Sequence, residues 1–242
     1  CMSRRFTADE EHEVAERKIL LGNEAIAHGL MESGCTVATS YPGTPASEIL
    51  TALSRLKLAQ KIDAHLEWSI NEKVAFENAL AAAWCGLRSL VTMKHVGLNV
   101  AADPLMSLAY LGVKGGMVVV VADDPGPISS QTEQDSRLMA MMAKVPVLDP
   151  DSPAHARELI AKGYELSERF GIPVMLRPTT RVCHACQDLP PGAIPPFVPS
   201  AEFRKSPARW AATPAFRYPL HKELVAKLAA IAKANPDAPM SG

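Results

Sequence analysis

The hydrophobic pattern switches between two periods along most of the chain. Apolar positions at Ile19, Leu20, Ala25, Ile26 and Leu30 recur at roughly helical spacing, which predicts a helix over residues 11–33 that Gly34 ends. Residues 35–41 then read as a buried strand, and Ile49, Leu50, Leu53 and Leu56 line the next helix. The alternation continues with a strand at 63–68, a helix from Glu72 through an alanine-rich run to Trp84, a strand at 88–93, a loop at 94–99 and a helix at 105–111. A strand at 117–122, a loop at 123–127, a helix through Met142, a strand at 145–148, a helix from Ser152-Pro153 through Phe170 and a strand at 172–176 complete it. The run Met117–Ala122 is apolar throughout, as a strand covered on both faces of a parallel sheet must be. This rhythm predicts a three-layer α/β/α domain with a mostly parallel sheet over residues 11–188. Residues 1–10 are polar and expected to be flexible. Residues 189–219 are too rich in proline for regular helix or central strand, and their Phe203, Trp210, Phe216 and Tyr218 predict packing along a surface. The terminal region 220–242 is expected to hold one amphipathic helix at 220–234.

The candidate chemistry sits where strands run into helices. In Tyr41-Pro42-Gly43-Thr44-Pro45-Ala46-Ser47-Glu48, Gly43 permits a sharp turn, Thr44 is the predicted N-cap, Pro45 suits the first helical position and Glu48 the first turn. Backbone N–H groups left open at such a corner favour an anion, for instance a substrate carboxylate; a plain well-capped helix accounts for the same residues. Glu72 opens a helix just after a strand, at the carboxyl edge of an open sheet, where ligands collect. It too has two readings. It is an acid that the helix macrodipole favours at that position, or a carboxyl at the rim of a tightly packed helix (Ala75, Ala79, Ala81, Ala82, Ala83). There, partial desolvation would raise its pKa and let it share a proton with a cofactor ring nitrogen. His95, in a glycine-containing loop after Lys94, either orients a substrate or relays a proton, or is a solvated loop histidine. Arg137 ends a dense polar cluster at 131–137; it either contacts an acid on a substrate or partner subunit or belongs to a solvated helix start capped by Thr132.

Composition narrows the function classes. At 242 residues the chain fits one large domain, or one domain plus an extension. A net charge of −1 offers no surface for nucleic acid or for an anionic membrane. The longest apolar runs are of strand length, too short to span a bilayer, and the polar N-terminus has no signal-peptide core. Five scattered cysteines form no disulfide framework, so a reducing cytoplasm is the expected location. Cys183-His184-Ala185-Cys186 is half a zinc site without its second half, and no cysteine run suits an iron–sulfur cluster, so no metal site is expected in this chain. Neither a Gly-Xaa-Gly-Xaa-Xaa-Gly nor a P-loop is present.

Two of these stretches together resemble a known family. Tyr41-Pro42-Gly43-Thr44-Pro45-Ala46-Ser47-Glu48-Ile49 is similar to the Tyr-Pro-x-Thr-Pro-x-Ser-Glu-Ile signature of the 2-oxoacid:ferredoxin oxidoreductases. Asn71-Glu72-Lys73-Val74-Ala75, Lys94-His95-Val96-Gly97-Leu98-Asn99, Ser130-Gln131-Thr132-Glu133-Gln134-Asp135-Ser136-Arg137 and Leu176-Arg177-Pro178-Thr179-Thr180-Arg181 resemble the α subunit of its indolepyruvate branch. The resemblance implies that residues 11–188 are the pyrimidine-binding domain of a thiamine diphosphate enzyme. It implies that Glu72 hydrogen-bonds the aminopyrimidine N1′ and favours the imino tautomer that takes up the thiazolium C2 proton. It places Thr44, and around it Gly43 and Ser47, near the carboxylate of the 2-oxoacid. With coenzyme A the implied products are an acyl-CoA, carbon dioxide and a reduced ferredoxin.

The resemblance also sets out what must lie elsewhere. An α subunit of this branch carries a Gly-Asp-Gly motif for the cofactor's diphosphate, and cysteine clusters for iron–sulfur centres; this sequence has neither. Magnesium, the diphosphate site and the clusters are therefore expected on a partner domain or subunit, and the chain is not expected to be active alone. Two rivals remain at this point: an interaction module that kept the fold without the chemistry, and a component of a non-oxidative 2-oxoacid decarboxylase.

Overall fold

The computed structural model describes residues 17–196 and 200–235. Its first element is a strand, β1 (Lys18–Leu21), followed by helix α1 (Gly22–Glu32). The helix expected over 11–33 thus starts late, with residues 11–16 outside the described residues. Two interactions decide this. Lys18–Leu21 pairs antiparallel with a late strand at Cys186–Leu189, and the Leu21 N–H donates to Glu24 at 3.0 Å, closing the helix start behind it.

The main sheet has six parallel strands: β2 (Val37–Ser40), β3 (His65–Trp68), β4 (Ser89–Lys94), β5 (Met117–Ala122), β6 (Val147–Leu148) and β7 (Val174–Leu176). Their order is β3-β2-β4-β5-β7-β6, and the late strand Cys186–Leu189 is β8. All of β5 is buried, as its unbroken apolar run requires. Successive side chains of β4 and β5 alternate between two cores. Leu90, Val118 and Val120 face Ile26 and Leu30 of α1, Ile49 and Leu53 of α2 (Ser47–Gln60), and Ile160 and Tyr164. Val91, Met93, Val119 and Val121 face Ala75, Phe76 and Ala79 of α3 (Glu72–Trp84), together with Leu105 and Leu224. The expected three-layer parallel architecture is therefore present, each buried Leu, Ile or Phe worth roughly 1.5–3 kcal/mol of transfer free energy.

Several local expectations give way to tertiary contacts. The stretch 94–99, expected as a loop, is mostly a short helix, α4 (His95–Val100), because buried His95 and Leu98 need one face against the sheet. It runs directly into α5 (Ala102–Leu111) with Ala101 between them; Asp103 lies in the first turn of α5 and receives Lys73 Nζ at 2.9 Å. Helix α6 (Ser136–Ala143) is capped by Asp135, which accepts the Arg137 N–H at 3.0 Å, and not by Thr132. Helix α7 (Pro153–Phe170) starts where expected, with Ser152 accepting the His155 N–H. A short helix α8 (Thr180–His184) follows β7.

The proline-rich stretch is more helical than its composition predicts. It contains α9 (Pro207–Trp210), and α10 (Pro214–Ala234) begins ahead of the expected residue 220. Pro214 opens α10 in a position that needs no N–H donor. Pro219 lies only slightly further in, where the Ala215 carbonyl it leaves without a donor is open to solvent. Of the four aromatic residues, Trp210 packs 5.3 Å from Trp84 and 6.3 Å from Phe203, whereas Tyr218 stays largely exposed; His221 stacks on Tyr110.

Candidate functional site

From β2 the chain passes to β3 on one side, then returns across to β4 on the other. The gap at the carboxyl ends of β2 and β4 is therefore the topological switch point of the sheet, the usual place for a ligand in an open α/β fold. Glu72, the turn after β2, and the residues at the end of β4 all converge there.

Glu72 is the first residue of α3 and half-buried. Capping falls to its neighbour: the Asn71 side chain accepts the Val74 N–H at 2.9 Å. The Glu72 carboxylate turns instead toward α4, and none of the described residues hydrogen-bonds to it. It lies over Gly97 so closely that a Cβ there would stand 2.6 Å from both its Cγ and its Oε1. Glycine in mid-helix ordinarily costs roughly 0.5–1 kcal/mol relative to alanine; here its bareness makes the seat for an acid.

The turn after β2 differs from the expected cap. Ala46, with no side-chain acceptor, occupies the N-cap position of α2, so Thr44 is not the cap and Pro45 is not the first helical residue. The turn closes on itself first: the Ala46 N–H donates to the Gly43 carbonyl at 2.8 Å, and the Gly43 N–H donates to Ser47 Oγ at 2.8 Å. Two backbone donors expected to be open to an anion are thus occupied. Buried Asn23 fixes the turn from below, donating to the Pro45 carbonyl at 2.7 Å and to Glu48 at 2.9 Å. The Thr44 residue stays exposed at the rim.

Lys94 and His95 join this turn to the loop after β5. The Lys94 side chain runs over Gly43, where a Cβ would meet its Cδ at 2.8 Å, and its Nζ donates to the Ser129 carbonyl at 3.3 Å. His95 is buried, with Nε2 2.8 Å from the Thr132 carbonyl. A carbonyl only accepts, so Nε2 carries the hydrogen. Nδ1 is buried without a partner among the described residues. The loop itself hangs on Asp124. Its Oδ2 accepts the N–H groups of Ile128 at 3.0 Å and Ser129 at 2.8 Å, and its Oδ1 accepts the Thr180 hydroxyl at 2.8 Å. Burial alone would raise this carboxyl, but these donors outweigh it and bring it down to about 2.

Arg137 lies at the start of α6 with its guanidinium on Asp135 at 2.6 Å and Asp149 at 3.2 Å. The hydrogen bonds it donates to the Asp135 carboxylate hold it charged well above its ordinary range. Asp149 also receives Arg177, whose Nε lies 2.7 Å from the fully buried Asp123. Arg137 is therefore part of an ion network tying the ends of β5, β6 and β7. Cys183 is buried against Ala46 and Ala122, whereas Cys186 is exposed in β8. Among the described residues no group of three or more His, Cys, Asp or Glu is placed to hold a metal, and no helix is long and apolar enough to cross a membrane.

The sequence thus points to Gly43, Thr44, Ser47, Glu72 and His95, and the structure brings them to one edge. It does not point to Asn23 or Asp124, whose roles are set by partners distant in sequence, and it treats Lys94 only as the neighbour of His95. Gly97 leaves no legible trace, since the stretch that holds it reads as a loop, where a glycine is ordinary.

An open parallel sheet that presents a half-buried, uncapped carboxylate at its switch point defines a ligand-binding α/β domain. The chain matches the family described as pyruvate flavodoxin/ferredoxin oxidoreductase, thiamine diphosphate-binding, over residues 28–219, and it belongs to that family. It is 46% identical over 215 residues to the indolepyruvate oxidoreductase subunit IorA of Pyrococcus abyssi, covering 87% of this chain and 33% of that protein. The corresponding subunit of Methanothermobacter marburgensis is 49% identical over 213 residues, covering 88% and 34%. Identity to the 2-oxoglutarate oxidoreductase subunit KorA of Mycobacterium tuberculosis is 30% over 176 residues, covering 66% and 26%. The chain thus spans about a third of the length of the curated IorA relatives. Its fold is shared with a 2-oxoglutarate:ferredoxin oxidoreductase from Magnetococcus marinus, solved with 2-oxoglutarate, coenzyme A and succinyl-CoA bound. The TM-score is 0.73 at 18% identity, over 92% of this chain and 46% of that one.

Proposed function

We propose that this chain is the pyrimidine-binding part of a thiamine diphosphate-dependent 2-oxoacid oxidoreductase. A diphosphate-binding domain or subunit that supplies magnesium and the diphosphate site completes it. The observation that carries the reading is the Glu72 carboxylate, relieved of capping by Asn71 and seated on bare Gly97. A carboxylate with no partner among the described residues, in a cradle that a methyl group would fill, fits a ring nitrogen of the aminopyrimidine. When bound, the cofactor supplies the nucleophilic carbon and the electron sink for decarboxylation. The chain's own part is narrower. Glu72 holds or yields a proton at its carboxylate; Asn71 and Gly97 fix its direction; Thr44, Gly43 and Ser47 shape the rim that receives the 2-oxoacid. His95 holds the 124–132 loop against α4 through Thr132. Arg137, paired as it is, steadies the same edge and offers its outer face to a partner subunit.

The IorA name favours an arylpyruvate such as indolepyruvate as substrate, and the name and ligands of the solved structure favour coenzyme A and a ferredoxin-type acceptor as co-reactants; iron–sulfur clusters on the partner complete our reading. The cytoplasm is the compartment this chemistry suits. Exposed Trp68, Ile70 and Ile128 stand at the ends of β3 and β5, beside the site, as an edge covered by a second domain would have them.

The test is Glu72→Gln in the assembled complex, read by 2-oxoacid-dependent dye reduction. Turnover should fall about 10²–10⁴-fold, the usual worth of a positioned acid–base group, with the thermal midpoint unchanged. Wild-type turnover in that variant would sink the reading.

A further inference from the structure

We propose that Lys94 supplies the positive charge that holds the carboxylate of the 2-oxoacid, an assignment that rests on the function proposed above. The charges at this edge lead to it. Lys73 is paired with Asp103 at 2.9 Å, Arg137 with Asp135 at 2.6 Å and Arg177 with Asp123 at 2.7 Å. Lys94 pairs with no carboxylate among the described residues; its ammonium has three donors and makes one long bond, to the Ser129 carbonyl at 3.3 Å. It is also half-buried. A partly desolvated ammonium without a counter-charge is costly, and a bound anion offsets that cost.

Position agrees with charge. The Lys94 stem lies across Gly43, and its head reaches Ser129, whose hydroxyl donates to the Thr44 carbonyl at 3.4 Å. The ammonium therefore stands between the turn that carries Thr44 and the loop that Asp124 pins. The backbone N–H groups of Gly43 and Ala46 are consumed within the turn, so a side-chain cation adds what those two donors do not supply. On the other side, Glu72 rests over Gly97, one helical turn along from Lys94. The site then has a cation for the carboxylate end of the substrate and an acid for the cofactor, flanking the same short helix. The ligand class is a monocarboxylate with a carbonyl next to it; an ester or amide of the same acid lacks the charge.

The experiment uses the assembled complex with Lys94→Met, which keeps an unbranched stem over Gly43, and Lys94→Arg, which keeps the charge. With an arylpyruvate as substrate, Lys94→Met should raise KM about 10–100-fold, as loss of a charge-assisted hydrogen bond does, with kcat changed less than about threefold. Thiamine diphosphate affinity and the thermal midpoint should stay at wild-type values, and Lys94→Arg should recover most of the KM. A second readout needs no turnover: calorimetric binding of 3-indolepropanoate to the holo complex should weaken by about the same factor in Lys94→Met, while binding of its methyl ester should not change. An unchanged KM and unchanged propanoate affinity in Lys94→Met overturn the assignment. So does a fall in kcat or thermal midpoint with KM intact, which would make Lys94 a structural strut. A wild-type complex that holds thiamine diphosphate but turns over no 2-oxoacid would sink the proposed function and this assignment together.

Discussion

Gly97 carries as much of the site as Glu72 does. The carboxylate needs a direction, and the structure supplies it by subtraction: no side chain rises from α4 beneath it. Gly97→Ala would leave α4 with a better helix former, so stability should hold or improve slightly. The added methyl, 2.6 Å from Oε1, would push the carboxylate away. We expect turnover of the complex to fall at least about tenfold, since small misplacements of a positioned group cost that much or more, with thiamine diphosphate affinity reduced as well. Steady-state kinetics and a thermal melt on the same preparation check this. A variant that is more stable and fully active would mean that Glu72 has room to move and that its seat does not matter.

At the scale of elements, the loop 124–132 is the piece most dependent on a single side chain. Asp124 holds its first half by backbone donors and ties it to Thr180, while His95 holds its far end. The Asp124 carboxyl is at about 2 in the folded protein against an ordinary 3.8, so its stabilising share is complete above the ordinary value and is lost as pH falls from there toward about 2. Asp124→Asn should therefore lower the urea midpoint at pH 7, and the gap to wild type should close across that acid window. A gap of constant size down to pH 2 would place the effect in shape and not in charge. The same loop marks where the sequence stops being legible. Strands such as β5 and the well-capped start of α7 are written locally, in an apolar run and in a Ser-Pro pair, and were readable. The start of α2 and the helix at 95–100 depend on groups brought from elsewhere: Asn23 under the turn, the sheet beneath Leu98; the cap of α6 is local, but Asp135 takes it in place of Thr132 three residues earlier. Glu72 was legible as chemistry because an acid after a strand is a local signal; its seat on another helix was not.

For the whole molecule, strand order matters more than strand content. The central strand β5 is flanked by β4, made earlier, and by β7, made much later; β6 precedes β7 in the chain yet lies outside it. Space and sequence disagree at that step, as they do at the β3-β2-β4 crossover, and here the disagreement becomes a schedule during synthesis. When Met117–Ala122 leaves the ribosome it has one neighbour, and its other edge stays open until residues 174–176 arrive. That edge is uncharged, proline-free and valine-rich, the composition that seeds intermolecular strand pairing. A chain stopped after residue 173 should form aggregates visible by light scattering, whereas one stopped after residue 235 should stay in solution; equal behaviour of the two would show that the nascent edge is otherwise shielded. The interval between these two strands is thus the time during which a growing chain most needs a chaperone, and slow translation before residue 174 would lengthen it.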